Sequence, residues 1–177
     1  RFASVLSFSI EEETAQALLS QRNLLHSIAA ERISQEFLKL LCGRGAASVL
    51  RDYRPVFEVF LPEIRPMAGL DQRSPYHCYD VWEHTLHALA QVPPELELRL
   101  TMLLHDIGKP GCCTIDASGC GHFKGHPARS AVLAEEMLRR LRADNATRET
   151  VVRLVAWHDR NIPRTRPGVA SALRQLG

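Results

Sequence analysis

The sequence has no strong strand-like run, no internal repeat and no low-complexity tract, which leaves little room for a sheet protein or a solenoid. Its apolar runs all fall short of the roughly 20 residues that a membrane-spanning helix needs. Glycine and proline number only 10 each in 177 residues, too few for long disordered stretches. A net charge of +2 neither requires nor excludes a nucleic-acid partner. The five cysteines are an odd number without even spacing, so they read as reduced thiols of a cytoplasmic protein rather than as a disulfide framework. There is no initiator Met, and the opening Arg1-Phe2-Ala3 reads as a piece of a longer protein.

What is present is helical, with the composition of an ordinary globular chain. The expected fold is all-α in two parts, with residues 1–68 a helical neck and 69–177 a second helical domain. Ser9 and Glu12 have the spacing of a capping box for a helix to about Ser20. A second helix from near Ser27 carries Ile28, Ile33, Phe37, Leu40 and Leu41 on one face and stops at Gly43. A short helix over 46–53 follows. The proline-punctuated stretch 56–66 reads as a hinge. Asp80 and Glu83 form another capping box, opening a helix to about Gln91. Pro94 suits the first turn of the next helix, which carries Leu96, Leu100, Leu103 and Leu104 up to His105-Asp106. Residues 109–125 hold four glycines and read as a loop, with room for a short hairpin around Asp116–Gly119. His126-Pro127 opens a helix to about Arg142. Asn145 or Thr147 caps one to about His158, and a short helix near Val169–Leu176 closes the chain.

Four of the eight histidines, His84, His105, His126 and His158, fall on or at the ends of these later helices, and two precede an Asp: His105-Asp106 and His158-Asp159. Imidazole with carboxylate suits a divalent ion such as Mn, Ni, Fe, Mg or Zn. Such ions can lower the pKa of a bound water and hold a phosphate oxygen, which is phosphoester hydrolysis. Neighbours on a helix point about 100° apart, so His105 and Asp106 reach one ion only where the helix meets it end-on or obliquely. Gly108 then frees the backbone to turn. A buried polar network is the other way to satisfy such a pair.

The order His84, His105-Asp106, His126, His158-Asp159, with the string Leu103-Leu104-His105-Asp106-Ile107-Gly108-Lys109, resembles the HD superfamily of metal-dependent phosphohydrolases. The resemblance implies that His84, His105, Asp106 and Asp159 are metal ligands. It places His126 and His158 at a second metal or the phosphate site, where one of them would protonate a leaving group, and Lys109 against the substrate phosphate. The stretches Arg1–Glu11, Ser27–Ile33 and Phe60–Ile64 are similar to the RNA-binding neck of the bacterial tRNA nucleotidyltransferase and poly(A) polymerase family. That implies tRNA as a partner and a role in CCA-end processing or repair, by hydrolysis of a phosphomonoester or 2′,3′-cyclic phosphodiester. The head of that family, with its Gly-Ser motif and paired Asp residues, is not among these residues.

Several residues keep two readings. Asp159 could be a solvated helix-end carboxylate, and His126 a helix cap. His158 could be a packing neighbour of Trp157. Cys112, Cys113, Cys120 and His122 could bind zinc, but lack the spacing of two Cys-x-x-Cys knuckles. His87 reads as a core or rim residue, and His26, His77 and His122 as surface residues. Arg22, Arg32, Lys39 and Arg44 could face RNA or only solvent. Two other functions stand beside the hydrolase: a non-catalytic tRNA-binding module, and a free-standing HD nucleotide hydrolase.

Overall fold

A computed structural model describes residues 1–74 and 78–176. His77, expected at the surface, lies outside the described residues. The described chain is all-α, apart from one two-stranded ribbon.

Helix α1 (Phe2–Leu6) ends at Ser7 in the left-handed region, with φ 58°. Helix α2 (Glu12–Ser20) starts after Glu11 rather than Ser9, and no side chain caps it. Glu12 and Glu13 occupy its first turn, where carboxylates complement the helix dipole without a box. A 3₁₀ turn (Arg22–Ser27) precedes α3 (Ala30–Leu41) and takes up the residues expected to begin that helix. Phe37, Leu40 and Leu41 are buried as their spacing predicts, whereas Ile28 stays outside the helix and exposed. Just past α3, Gly43 sits against α1, where an added Cβ would lie 2.1 Å from Ser4 Oγ. Ser4 Oγ donates to the Leu40 carbonyl at 2.6 Å, so glycine is needed there for close approach.

Helix α4 (Ala46–Asp52) and α5 (Arg54–Phe57) lead into a 3₁₀ turn (Pro62–Met67). This stretch, expected as a hinge, is packed: Phe57, Leu61, Ile64 and Met67 are buried in one cluster with Leu86, Leu103 and Met137. Two ion pairs add to that shared core. Arg51 of α4 grips Glu83 through both carboxylate oxygens, and Glu63 takes Arg140 at 2.7 and 2.8 Å.

Helix α6 (Val81–Gln91) is capped by Asp80, whose carboxylate accepts from the Glu83 amide at 2.7 Å. Only this half of the predicted box forms, because the Glu83 carboxylate is held by Arg51. Helix α7 (Leu96–Leu104) begins after Glu95, which leaves Pro94 before the helix rather than in its first turn. A 3₁₀ turn (Lys109–Cys112) and the antiparallel ribbon β1 (Thr114–Ile115) and β2 (Gly121–His122) follow. Asp116 builds the tip by accepting from the Ser118 and Cys120 amides. Helix α8 (His126–Arg140) packs along α9 (Asn145–Trp157), which in turn packs on α7. The cap of α9 is Asp144, which accepts from the Thr147 amide at 2.9 Å, one residue before the expected position. Helix α10 (Arg166–Leu176) is longer than its sequence pattern suggests.

Candidate metal centre

Two helical hairpins make the site. Helices α6 and α7 pack together, as do α8 and α9. In a hairpin of similar helices with a short connection, the start of one lies beside the end of the other. His84 is in the first turn of α6 and His105 follows the last residue of α7. His126 opens α8 and His158 follows the last residue of α9. Each hairpin therefore joins a first-turn histidine to a last-turn histidine. The Nε2 atoms are 3.4 Å apart in the first pair and 3.1 Å apart in the second.

Asp106 stands between the pairs and is 1% exposed. Its Oδ2 faces His84 Nε2 at 3.4 Å and His105 Nε2 at 3.1 Å. Its Oδ1 faces His126 Nε2 at 3.2 Å and His158 Nε2 at 3.6 Å. Lys109 Nζ lies 2.8 Å from Oδ2. Despite these short distances, neither Asp106 oxygen has a partner aligned as a hydrogen bond. A buried carboxylate with charge around it but no directional bond is the environment a cation fits.

The tautomers point the same way. Nδ1 of His105, His126 and His158 lies 2.7, 2.8 and 2.7 Å from the carbonyls of Met102, Phe123 and Val155 respectively. A carbonyl only accepts, so each Nδ1 carries a proton, and a ring without a second proton turns its Nε2 lone pair to the centre. At 3.1 Å the Nε2 atoms of His126 and His158 either share a proton in a hydrogen bond or, as two lone pairs, repel unless a positive charge lies near them. This arrangement, with the remote nitrogen fixed by a carbonyl, is how proteins orient metal-ligating histidines. The donor atoms fall into two compact groups sharing Asp106: His84, His105, Asp106, and Asp106, His126, His158. The residues present thus fit one or two divalent ions.

Electrostatics follow from the crowding. Burial pushes the Asp106 carboxyl up, but His105, His126 and His158, where they present a proton rather than a lone pair to it, outweigh burial and hold it far below the usual carboxylate range. Burial pulls His158 down, yet the Asp106 carboxylate, the Val155 carbonyl and the charge of Asp159 leave it raised overall.

The centre opens on a cleft of about 570 Å3, also lined by Lys109, His122, Phe123, Lys124 and Asp159. Asp159 is exposed on its rim, and among the described residues it belongs to neither donor group. Lys109 is buried, with Nζ donating to Gln72 Oε1 at 2.7 Å as well as facing Asp106. The HD turn is seated by Gly108, whose amide donates to Ser130 Oγ at 2.9 Å. Gly108 has ordinary right-handed torsions (φ −84°), so it is needed for close approach to α8 and not, as expected, for freedom to turn.

Two site residues escape sequence reasoning. Gln72 is wholly buried, and its amide also donates to the Tyr79 carbonyl at 3.1 Å. It lies in an irregular segment with no period to mark it. Ser130 had a signal, since it lies four residues after His126 and so shares its helix face. Elsewhere His87 is exposed and stacks on Tyr79 with centroids 4.3 Å apart, and His26 is exposed as expected. Arg22 donates to the Leu19 carbonyl and Lys39 pairs with Glu36, while Lys39, Arg32 and Arg44 are all exposed.

Comparison with known proteins shows the family. Residues 7–67 match the family described as "Probable RNA and SrmB- binding site of polymerase A", and residues 76–175 match the HD domain. The chain is 35% identical to a CC-adding tRNA nucleotidyltransferase of Thermus thermophilus, across 94% of the chain and 41% of that protein. It is 33% identical to an A-adding tRNA nucleotidyltransferase of Deinococcus radiodurans, across 92% of the chain and 40% of that protein. It is 30% identical to a Multifunctional CCA protein of Neisseria meningitidis, across 89% of the chain and 39% of that protein. The chain therefore spans about 40% of the length of these curated relatives. With the HD match covering more than half of its residues, and the RNA-binding segment ahead of it, the chain belongs to the HD-domain family.

Proposed function

We propose that residues 69–177 form a metal-dependent phosphohydrolase and residues 1–68 an RNA-binding neck, together serving tRNA 3′-end processing or repair. The carrying observation is the convergence of four imidazole Nε2 atoms on the two oxygens of one buried carboxylate. His84, His105 and Asp106 would hold a first divalent ion, with Asp159 reaching in from the rim. His126 and His158, with the other oxygen of Asp106, would hold a second or serve the phosphate. A bound divalent ion supplies a nucleophile from water at neutral pH and draws charge from a phosphoryl oxygen.

The remaining work falls to side chains. Lys109, on the cleft wall, holds negative charge on a non-bridging phosphoryl oxygen. Gln72 fixes the Lys109 ammonium through its carbonyl oxygen, which makes it a positioning residue. Where no second ion is held, His126 or His158 would take up a proton at Nε2, beside the Asp106 carboxylate, and give it to the leaving oxygen, from a ring already oriented by its carbonyl at Nδ1. The cleft is open and polar enough for a phosphomonoester or a 2′,3′-cyclic phosphodiester.

The tRNA role rests on the RNA-binding match and on the relatives' names. CC-adding and A-adding relatives match this stretch almost equally well, which supports a role that does not depend on which nucleotide is added.

The test is hydrolysis of 2′,3′-cyclic AMP and p-nitrophenyl phosphate with Mn, Ni, Fe, Mg or Zn supplied in turn. Wild type is expected to turn over at least one of them, and His105→Ala to turn over neither. Gln72→Leu is expected to raise KM about tenfold with a smaller change in kcat, the scale of one lost hydrogen bond to a charge. An unchanged KM would remove Gln72 from this role. If wild type binds metal, hydrolyses neither compound and binds tRNA with steep salt dependence, the chain is a binding module instead.

A further inference from the structure

The ribbon at the mouth of the cleft brings together three side chains that the hydrolase reading does not use. Asp116, Cys120 and His122 place one carboxylate oxygen, the thiol sulfur and one imidazole nitrogen all within 4.8 Å of one another. The pairing of β1 with β2 explains the meeting: Thr114 lies opposite His122 and Ile115 opposite Gly121, so Asp116 and Cys120 flank the turn. Sequence spacing had grouped Cys120 and His122 with Cys112 and Cys113. Among the described residues, the donor group that forms takes Asp116 in their place.

Asp116 is oriented before any ligand arrives. Its Oδ1 accepts from the Ser118 amide at 2.9 Å, the Ser118 hydroxyl at 2.6 Å and the Cys120 amide at 3.0 Å. Its Oδ2 is thereby turned to His122 Nε2, 2.7 Å away. The Ser118 hydroxyl first, then His122 and the Cys120 amide, hold the carboxyl well below its usual range, so it stays ionised.

We propose that Asp116, Cys120 and His122 form a second metal site, separate from the Asp106 centre, which takes a borderline-soft divalent ion such as Zn2+ with water in the fourth position. Carboxylate, thiolate and imidazole are the three donor types zinc uses, and three protein ligands leave an open position. Tetrahedral zinc at the usual bond lengths sets its donors roughly 3.5 Å apart. The Asp116–His122 contact, at 2.7 Å, must open by under about 1 Å, and a pair at the 4.8 Å limit must close by about 1.3 Å, which side-chain rotation on an exposed turn allows. On binding, Cys120 releases its thiol proton to solvent, and His122 moves its proton to Nδ1 so that Nε2 can donate its lone pair. The ion would clamp the ribbon next to Phe123, whose carbonyl orients His126.

Cobalt tests this without reference to hydrolysis, because a thiolate ligand gives Co2+ a near-ultraviolet charge-transfer band and the Asp106 centre has no sulfur. Titration of the reduced, full 177-residue chain with Co2+ should raise that band to the intensity of about one thiolate-bound ion, whatever the Asp106 centre takes up beside it. Cys120→Ser should abolish the band, and His122→Ala and Asp116→Asn should weaken it, with helicity unchanged by circular dichroism. His105→Ala, which disables the main centre, should keep it. Two results would overturn the proposal: no thiolate band at saturating Co2+, or a band that survives Cys120→Ser, which would put the sulfur at another cysteine.

Discussion

Asp106→Asn is expected to abolish phosphoester hydrolysis and, in metal-stripped protein, to lower stability by about 3 kcal/mol. The first effect follows from geometry. Both donor groups share this carboxylate, so its charge is the one ligand neither ion could do without. An amide keeps the shape and loses the charge, and an amide nitrogen turned inward would block one subsite. Loss of a central ligand of this kind removes activity by several orders of magnitude. The second effect follows from Lys109, which is 5% exposed and would keep Gln72 but lose its counter-ion. At this chain length the fall in Tm is roughly 6–12 °C. Lys109→Met on the Asp106→Asn background should recover most of the stability and none of the activity. If Asp106→Asn leaves the metal-stripped Tm unchanged, the buried pair is not the constraint described here.

Gly108→Ala is expected to have the next largest effect, although no functional group is removed. An added Cβ would lie 2.6 Å from the Ser130 amide nitrogen and 2.9 Å from the His126 carbonyl oxygen, both main-chain atoms of α8. Neither can rotate aside, so α8 must shift and take His126 with it. Forced expansion of this kind costs about 2 kcal/mol, and misplacement of a reacting group by about 1 Å costs on the order of 100-fold in rate. Urea denaturation and the hydrolysis assay read the two quantities separately. Ser130→Ala removes the hydroxyl that accepts from Gly108 without adding bulk, and should cost far less activity. Equal losses in the two variants would place the requirement in the hydrogen bond rather than in the space.

The second half of the chain was the more legible in sequence, for physical reasons. The histidines sit at helix ends, and helix ends are what capping residues and glycines announce. Asp80 caps where its spacing with Glu83 indicates, and the ribbon forms where Asp116 and Gly119 suggest a turn. The donor sets were legible only in part. That His126 meets His158 depends on α8 and α9 folding back on each other, a contact across 32 residues that periodicity does not encode. Helix length and the short connection could have suggested it, since helices of 15 and 13 residues differ by only about 3 Å. The first half was less legible. Ser9 has the spacing of a cap, but the helix starts at Glu12, where charge rather than a side-chain bond favours the first turn. The proline-rich stretch looked like a hinge because prolines mark irregular backbone. Irregular backbone can still be buried when its apolar side chains face a neighbour, as Leu61, Ile64 and Met67 do. Gln72 had no local signal, because its importance comes from Lys109, 37 residues away.

The four inward-facing imidazoles and Asp106 are expected to hold metal. Native mass spectrometry of the chain, stripped of metal and then supplied with Mn, Ni, Fe or Zn, tests it most directly. Cys120→Ser should be the background, so that the ribbon does not contribute. The account predicts about one or two ions per chain, lost together in Asp106→Ala and reduced in His84→Ala. A chain that stays metal-free in all four metals would contradict it, and the cluster around Asp106 would then be a buried polar network and not a metal centre.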